Sequence, residues 1–307
     1  MINAVFLAGQ TGVGKSAVAI QLAEATSGEI ISVDSMQVYR GMDIGTAKPS
    51  EAERARVPHH LVDILNLSES FDAAQFVRHA KTAENDVRSR GRTPIYCGGT
   101  GLYFRAQIDG LRDMPACNPA LRAELESAPL EALLQELQAK DPAHFAKVDR
   151  QNPRRVIRAI ETIRLTGKPI SEQPIHWENR EDRNKPRVFC LERSAADLRK
   201  RIEMRVEEMF RRGLVEETRA LIVAGLETNR NAMQALGYRQ VVEHLHGARP
   251  LEETVALVKI RTWQFARRQA TWFRKQPNVI HLKIQTTESD TQIAERVMEA
   301  MKKTSHP

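Results

Sequence analysis

The chain has 307 residues, a hydrophobic fraction of 41%, and a net charge of +7 with a pI near 9.4. This length suits one large domain or a core that carries an inserted subdomain, and the composition allows a packed interior. No apolar run approaches the roughly 20 residues that cross a bilayer, and no charged leader precedes the first apolar segment, so we expect a cytoplasmic protein without a membrane partner. The three cysteines are far apart, which argues against a disulfide framework or a zinc site.

The first predicted turn fits a phosphate-binding pattern. It lies between an apolar strand and a helical run, and it matches G-x-x-x-x-G-K-[ST] with Gly9, Gln10, Thr11, Gly12, Val13, Gly14, Lys15 and Ser16. Glycines allow successive N–H groups to point into one concavity at a helix N-terminus, so we expect a phosphate or diphosphate there. Lys15 would supply a mobile charge and Ser16 a hydroxyl ligand for Mg²⁺. Kinases, nucleotide hydrolases and some other transferases share this loop, so it does not identify the group attached to the phosphates.

A carboxylate follows the second predicted strand. Residues 29–33 are a buried-strand pattern that ends at Asp34, and ligands of open α/β folds lie at the carboxyl ends of strands. Asp34 is therefore expected near the phosphate loop, as a Mg²⁺-binding carboxylate, a general base or a helix N-cap. The polar, glycine-punctuated segment 36–49 that follows is predicted to be a substrate loop.

A second glycine turn comes after a helix and a further strand. Asp72 is expected to cap a helix that ends near Arg90, and residues 93–97 form a strand pattern before Gly98-Gly99-Thr100-Gly101. This turn should face the first loop. The Thr100 hydroxyl could donate to a diphosphate oxygen, cap the following helix, or do both.

Composition changes after Gly110. From about residue 113 to residue 186 the pattern predicts helices only. The economical interpretation is an α/β, P-loop NTPase-like core of residues 1–112 and 187–307, with a mainly parallel sheet flanked by helices and an inserted all-helical subdomain at 113–186. A closing strand is predicted at 279–282, and the tail from about residue 286 is predicted to be a polar, dispensable helix.

Arginines are concentrated on three predicted helices. Arg201 and Arg205 lie one turn apart, and either could reach a diphosphate or be a surface charge. On the insert, Arg154, Arg155 and Arg158 share a face that could meet phosphates. The helix predicted at 251–275 carries basic residues interleaved with aromatics, which suits a polyanion with exposed bases, but a solvated helix face has the same composition.

Six motifs occur together and in order. They are the phosphate loop, Asp34-Ser35-Met36-Gln37-Val38-Tyr39-Arg40, Gly45-Thr46-Ala47-Lys48-Pro49, Gly98-Gly99-Thr100-Gly101-Leu102-Tyr103, Gly237-Tyr238-Arg239-Gln240 and Arg267-Arg268-Gln269-Ala270-Thr271-Trp272. In this combination the chain resembles the bacterial tRNA dimethylallyltransferase family from about residue 5 to about residue 282. Eukaryotic relatives carry a C-terminal zinc finger, and this chain has no cysteine after Cys190, so it is similar to the bacterial form.

The resemblance implies transfer of a dimethylallyl group from dimethylallyl diphosphate to N6 of the adenosine 3′-adjacent to the anticodon, with release of diphosphate. It implies that the loop amides, Lys15, Thr100, Arg205 and Mg²⁺ at Ser16 stabilise the leaving group, and that Asp34 removes the amine proton. We expect a monomer that grips the anticodon stem-loop of tRNA. The tRNA contacts implied are Asp34, Ser35, Met36, Gln37, Thr100, Arg154, Arg155, Arg158, Gln234, Gly237, Tyr238, Arg239, Arg267, Arg268, Gln269, Trp272 and Arg274.

Three alternatives are weighed against this interpretation. A P-loop phosphotransferase would use Asp34 as a magnesium acid, but it would have little use for a basic, aromatic C-terminal helix. An adenylate isopentenyltransferase would act on free nucleotide, which leaves the basic insert unexplained. A non-catalytic, GTPase-like RNA-binding module would need an N-K-x-D sequence for guanine, and the chain has none.

Overall fold

The structure is a computed structural model that describes residues 4–111, 115, 117–172 and 186–304. The strands in these ranges are β1 (Val5–Gly9), β2 (Gly28–Val33), β3 (His59–His60), β4 (Thr93–Gly98), β5 (Val188–Glu192) and β6 (Val279–Lys283). The helices are α1 (Lys15–Thr26), α2 (Glu51–Arg56), α3 (Ala73–Ser89), α4 (Gly101–Asp109), α5 (Pro119–Ser127), α6 (Leu130–Lys140), α7 (Pro142–Phe145), α8 (Pro153–Thr166), α9 (Ala195–Arg211), α10 (Leu214–Val223), α11 (Tyr238–Leu245), α12 (Leu251–Arg274) and α13 (Asp290–Thr304). None of the helices in the described ranges has the length and apolar character that a membrane span requires.

The strands form one parallel sheet in the order β3-β2-β4-β1-β5-β6. Strands β2, β3 and β4 lie on one side of β1 within the sheet, and β5 and β6 lie on the other side. The strand order therefore reverses at β1. Gly98 is in register with both Val33 and Ala8, and Gly9 is in register with Leu191. The carboxyl ends of four strands therefore meet at one edge, where ligands of such sheets bind.

Helices cover both faces of the sheet. Side chains alternate along β1, so Phe6 packs with α3, α4 and α11 while Leu7 packs with α1, α9 and α13. Helix α12 belongs to both layers, because Ala266 is buried in one cluster and Phe273 in the other. The predicted α/β fold with a parallel sheet flanked by helices is confirmed.

Local sequence signals explain most helix ends. Helix α3 begins after Asp72, whose carboxylate accepts from the Gln75 N–H while the Gln75 side chain accepts from the Asp72 N–H. This confirms the predicted cap.

The chain divides into two compact units. One comprises Met1–Ile108 with Glu181–Pro307, and the other comprises Asp109–Arg180. In the described part of the second unit every regular element is helical, and its core includes Leu125, Leu137 and Ile160. These limits lie a few residues before the predicted 113–186. The predicted boundary at residues 112 and 113 itself lies outside the described residues.

The tail helix is part of the core, so the prediction that it is dispensable is wrong. In α13, Ile293 and Val297 are almost fully buried and pack in the same cluster as Val18 and Leu22 of α1. The polar residues that suggested a surface appendage occupy the outer face. An amphipathic helix with few apolar residues can still bury all of them.

Replacing Ile293 with alanine should lower the free energy of unfolding by about 2–5 kcal/mol, because it removes a buried branched side chain and leaves a cavity. Denaturant unfolding measures this loss. Glu295→Ala on the exposed face of the same helix is the matched control and should change stability little. Equal stability of the two variants would contradict the burial of α13.

Candidate active site

The phosphate loop has the backbone geometry that its glycines predict. Gly12 and Gly14 have φ angles of 81° and 103°, in the left-handed region that favours glycine. Gly14 is the N-cap of α1, and no side chain caps this end of the helix. The first N–H groups of α1 are therefore available to an anion at the positive end of the helix dipole.

Two arginines bind the carbonyl groups of the loop. Arg201 Nε donates to the Gly12 oxygen at 2.9 Å, and Arg193 Nε donates to the Val13 oxygen at 2.9 Å. Arg193 is nearly buried and is also paired with Asp197. Carbonyl oxygens repel phosphate, so engaging them with guanidinium groups favours a loop that presents its amides. The Nε of Arg201 therefore supports the loop backbone, and a contact of Arg201 with diphosphate stays a prediction.

Arg193 was missed by the sequence analysis. A usable signal was present, since Arg193 follows β5 directly at the same edge of the sheet as Asp34 and the loop. The rule that identified Asp34 would have identified Arg193 as well.

Helix α12 ties the phosphate loop to the second glycine turn. The Gln269 side chain accepts from the Thr11 N–H at 2.8 Å and donates to the Gly99 oxygen at 3.0 Å. A Cβ at Gly101 would lie 2.4 Å from the Trp272 ring, so only glycine permits this approach. Gln269 is 7% exposed and its amide is used in these internal contacts, so little of it is available for the predicted contact with tRNA.

Asp34 lies at the end of β2 with one carboxylate oxygen engaged. Its Oδ1 accepts from the N–H groups of Met36 at 2.8 Å and Gln37 at 3.3 Å, and no described residue donates to Oδ2. The residues after Asp34 form turns and not a helix, so the N-cap interpretation is wrong. The turn orients the carboxylate and leaves its second oxygen free for a ligand or a proton.

A backbone hydrogen bond places Thr100 next to the residue that precedes Asp34. Its N–H donates to the oxygen of Val33, the residue before Asp34, at 3.2 Å. Within the described ranges the Thr100 hydroxyl makes no hydrogen bond, whereas its carbonyl accepts from the start of α4. Thr100 therefore does not cap α4 with its side chain, and its hydroxyl is free for the predicted donation.

Lys15 and Arg205 are two half-buried cations at the site. Burial lowers the pKa of Lys15. Cys97 and Asp34 act in the opposite direction, whereas the positive charge of Arg205 lowers this pKa further. Burial also lowers the pKa of Arg205, against the effect of Asp34. Neither cation forms an ion pair with any acid in the described part of the chain, and Lys15 Nζ donates only to the Gln10 oxygen at 3.4 Å. The positive charge at the site is therefore not fully compensated by the protein, and a bound anion would compensate for it.

Cys97 is not a candidate base or nucleophile. It lies in β4 beneath Lys15, and its thiol contacts the Lys15 carbonyl oxygen at 3.7 Å. Burial raises the pKa of Cys97 to about 11, so the thiol is neutral near pH 7. The base role of Asp34 stays a prediction.

Tyr238 anchors the predicted substrate loop from inside the protein. Its hydroxyl donates to Glu217 at 2.5 Å and accepts from the Gly45 N–H at 3.0 Å, and Glu217 also accepts from the Ile44 N–H. Tyr238 is fully buried, as is Gly237 before it. The structure thus gives this pair a role in holding residues 43–49 in place of the predicted contact with tRNA.

Gln37 is held by the same segment. Its side-chain oxygen accepts from Ser32, and its side-chain nitrogen lies within hydrogen-bonding distance of the carbonyl oxygens of Thr46 and Ala47. Gln37, Ser35 and Met36 are half-buried, and their contacts with tRNA stay predictions.

The predicted basic residues differ in exposure. Arg154 and Arg155 are exposed on α8. Arg158 is half-buried and pairs at 2.7 Å with Glu161, which is completely buried. Arg158 therefore serves the core of the second unit. On α11, Arg239 is exposed and pairs with Glu243. Gln234, which precedes α11, is exposed and donates to the Arg230 oxygen.

The exposed face of α12 carries a groove of about 480 Å³ that is lined partly by Arg267, Arg268 and Trp272. Trp272 is half-buried, and Arg267, Arg268 and Arg274 are exposed. The Arg268 guanidinium lies over the Phe265 ring at 5.8 Å. Basic groups beside an accessible indole fit a polyanion with bases, as predicted, while the opposite face of α12 is core.

No cluster of three or more His, Cys, Asp or Glu side chains suitable for a metal occurs among the residues that the structure describes. Ser16 is exposed, and its hydroxyl has no hydrogen-bond partner among those residues. The side-chain oxygens near the loop that could ligate a metal thus include the Ser16 hydroxyl and the free oxygen of Asp34.

Fold and site together define a P-loop enzyme whose loop presents free amides to an anion, with a carboxylate at the neighbouring strand end. The profile of the family described as IPP transferase matches residues 37–276. A tRNA dimethylallyltransferase of Geobacter metallireducens is 44% identical over 282 residues, which is 90% of this chain and 91% of that protein. A tRNA dimethylallyltransferase 1 of Citrifermentans bemidjiense is 42% identical over 92% of each chain. The chain belongs to the IPP transferase family.

Solved structures agree with this assignment. A tRNA isopentenylpyrophosphate transferase from Bacillus halodurans is 36% identical and matches 99% of this chain and 98% of its own, with a TM-score of 0.71. A eukaryotic dimethylallyltransferase acting on tRNA matches all of this chain and 81% of its own, with 27% identity and a TM-score of 0.82.

Tyr238→Phe should lower the free energy of unfolding by about 1–3 kcal/mol, because the Gly45 N–H and Glu217 lose a buried partner. Thermal or denaturant unfolding measures the change. Tyr39→Phe is the matched control, since Tyr39 is equally buried but its hydroxyl makes no hydrogen bond of standard geometry within the described residues. A Tyr238 variant as stable as the Tyr39 variant would refute the anchoring role.

Proposed function

We propose that this protein transfers the dimethylallyl group of dimethylallyl diphosphate to N6 of the adenosine 3′-adjacent to the anticodon of tRNA and releases diphosphate. The observation that carries the proposal is the pair of half-buried cations at a P-loop beside the free oxygen of Asp34. These cations, Lys15 and Arg205, form no ion pair within the described residues. The relatives that are named tRNA dimethylallyltransferases supply the choice of donor and acceptor.

The cation pair suits the leaving group of this reaction. Cleavage of the allylic C–O bond leaves both bonding electrons on the diphosphate, while positive charge develops on the prenyl carbon. Lys15, Arg205, the loop amides and the Thr100 hydroxyl are donors held in place before the substrate arrives. Removal of one preorganised donor of this kind typically costs about 2.7–4 kcal/mol of transition-state stabilisation.

Asp34 is the base in this scheme. The exocyclic amine of adenosine is a weak nucleophile because its lone pair is delocalised into the ring. As the N6–C bond forms and the C–O bond breaks, the amine must lose a proton, and Asp34 Oδ2 has no other partner among the described residues. The Met36 and Gln37 amides hold Oδ1 and so fix the direction in which Oδ2 accepts.

The donor set near the loop fits Mg²⁺. This ion usually keeps several water ligands and is held by one or two protein oxygens together with substrate phosphates, and the exposed Ser16 hydroxyl could provide such an oxygen. When bound, the ion would neutralise part of the charge that develops on the diphosphate.

The exposed arginines suit the acceptor. The target base is stacked in the anticodon loop, and its extrusion costs a few kcal/mol, which a wide grip on the surrounding phosphates can offset. Arg267, Arg268 and Arg274 on α12 are the exposed cations nearest in sequence to Gln269, which contacts the phosphate loop. Arg154 and Arg155 provide a second basic surface on the inserted unit.

Asp34→Asn should reduce the rate of diphosphate release from dimethylallyl diphosphate and tRNA by about 10²–10⁴-fold and leave tRNA affinity nearly unchanged, because the variant keeps the turn but loses the base. Asp86→Asn, an exposed carboxylate at the other end of the sheet, is the control and should keep full activity. Release that depends on free adenine nucleotide, or cleavage of ATP with transfer of its phosphoryl group, would overturn the proposed function. A large loss of tRNA affinity in Asp34→Asn would make Asp34 a binding residue.

Replacing Arg267 and Arg268 with alanine should weaken binding of all tRNAs and make it less dependent on salt. Each lost phosphate contact should lower the slope of log affinity against log salt by roughly 0.7–0.9. The control replaces Arg199 and Arg211, which are exposed and paired with acids on their own helix, so that the charge change is matched. Equal slopes for the two double variants would show that Arg267 and Arg268 are solvated surface charges that do not contact tRNA phosphates.

A further inference from the structure

Gln269 links the two backbone segments that would hold the diphosphate. Its amide oxygen accepts from Thr11 in the phosphate loop, and its amide nitrogen donates to Gly99 in the second glycine turn. A side chain that donates and accepts at neighbouring atoms is needed here, and only Gln and Asn offer this as a neutral, fixed pair. A Cβ at Gly99 would lie 2.3 Å from the Gln269 nitrogen, so the turn is built closely around this amide.

The two hydrogen bonds decide which backbone groups remain for an anion. The Thr11 N–H is occupied by Gln269 and cannot bind phosphate, whereas the amides at the start of α1 have no such partner. The Gly99 oxygen is directed to Gln269, and the next residue is Thr100, whose hydroxyl is free. Gln269 therefore fixes the distance between the loop and Thr100 before any ligand binds.

We propose that Gln269 is a positioning residue for the leaving diphosphate. It holds the phosphate loop and the Thr100 turn at the spacing that lets both bind the same diphosphate. This inference rests on the proposed function, because it assumes that a diphosphate occupies the loop.

The fold does not depend on Gln269 alone. Helix α12 is also attached through the Gln10 side chain, which donates to the Ala266 oxygen at 3.3 Å, and through the buried side chains of Ala270 and Phe273. Gln269 variants are thus expected to fold, and their defects should appear in diphosphate binding. A purely structural residue would affect stability without that selectivity.

The test measures binding of inorganic diphosphate by calorimetry to the full-length protein and its variants. Gln269→Met keeps the volume but removes both hydrogen bonds, so its affinity should fall at least about tenfold. The KM for dimethylallyl diphosphate should rise in parallel, with the KM for tRNA unchanged. Gln135→Met, at an exposed position on α6, is the control and should bind like the unaltered protein.

Gln269→Glu adds a readout that a structural role would not produce. An ionised Glu can accept from the Thr11 N–H, but it cannot donate to the Gly99 oxygen and it repels diphosphate. A protonated Glu is neutral and can make both hydrogen bonds. The diphosphate affinity of Gln269→Glu, compared with that of the unaltered protein at the same pH, should therefore recover as the pH falls. This measurement remains available even if Gln269→Met fails to fold. The inference about Gln269 would be overturned if Gln269→Met bound diphosphate within twofold of the normal affinity, or if the defect of Gln269→Glu did not change with pH. Either result would leave the proposed function standing. Failure of the unaltered protein to bind diphosphate would overturn the proposed function and this inference together.

Discussion

The site depends on two half-buried cations that form no ion pair with a carboxylate of the described residues. Lys15 and Arg205 are desolvated, which lowers the pKa of each, and Asp34 is the one acid that acts on both. An arrangement of this kind is unfavourable in the free protein and becomes favourable when an anion enters. It persists because the surrounding elements are fixed independently of the ligand. The parallel sheet aligns four strand ends, and Arg193, Arg201 and the buried face of α12 hold the loop that joins β1 to α1.

Helix α12 connects the chemistry to the acceptor. Its inner face places Gln269 against the phosphate loop and Trp272 against Gly101, and its outer face exposes Arg267, Arg268 and Arg274. A single rigid element therefore carries both the support for the diphosphate site and a candidate surface for tRNA. The substrate loop is supported in a similar way from α10 and α11, where Glu217 and Tyr238 bind the backbone of Ile44 and Gly45. In both cases a buried polar side chain sets the conformation of a glycine-containing segment.

The sequence was sufficient for the fold class and for the residues that follow strands, because a strand end fixes both the position and the edge of the sheet. Asp34, Thr100 and the phosphate loop were found in this way. It was insufficient for Gln269 and Tyr238, since a motif marks a residue as constrained without showing whether the constraint is a ligand or a buried neighbour. The tail helix was misjudged because its few apolar residues are all used in packing. The i,i+3 spacing of Arg158 and Glu161 on α8 permits their ion pair, but the sequence did not show that Glu161 is buried.

The most direct test of the central claim is mass analysis of the nucleosides from unmodified tRNA after incubation with the protein, Mg²⁺ and dimethylallyl diphosphate. Our account predicts that one adenosine, the neighbour of the anticodon on its 3′ side, gains a single C5H8 unit on its base. The same tRNA incubated without protein should show no gain. An unchanged adenosine, or a phosphate added to the RNA when ATP is supplied, would contradict it.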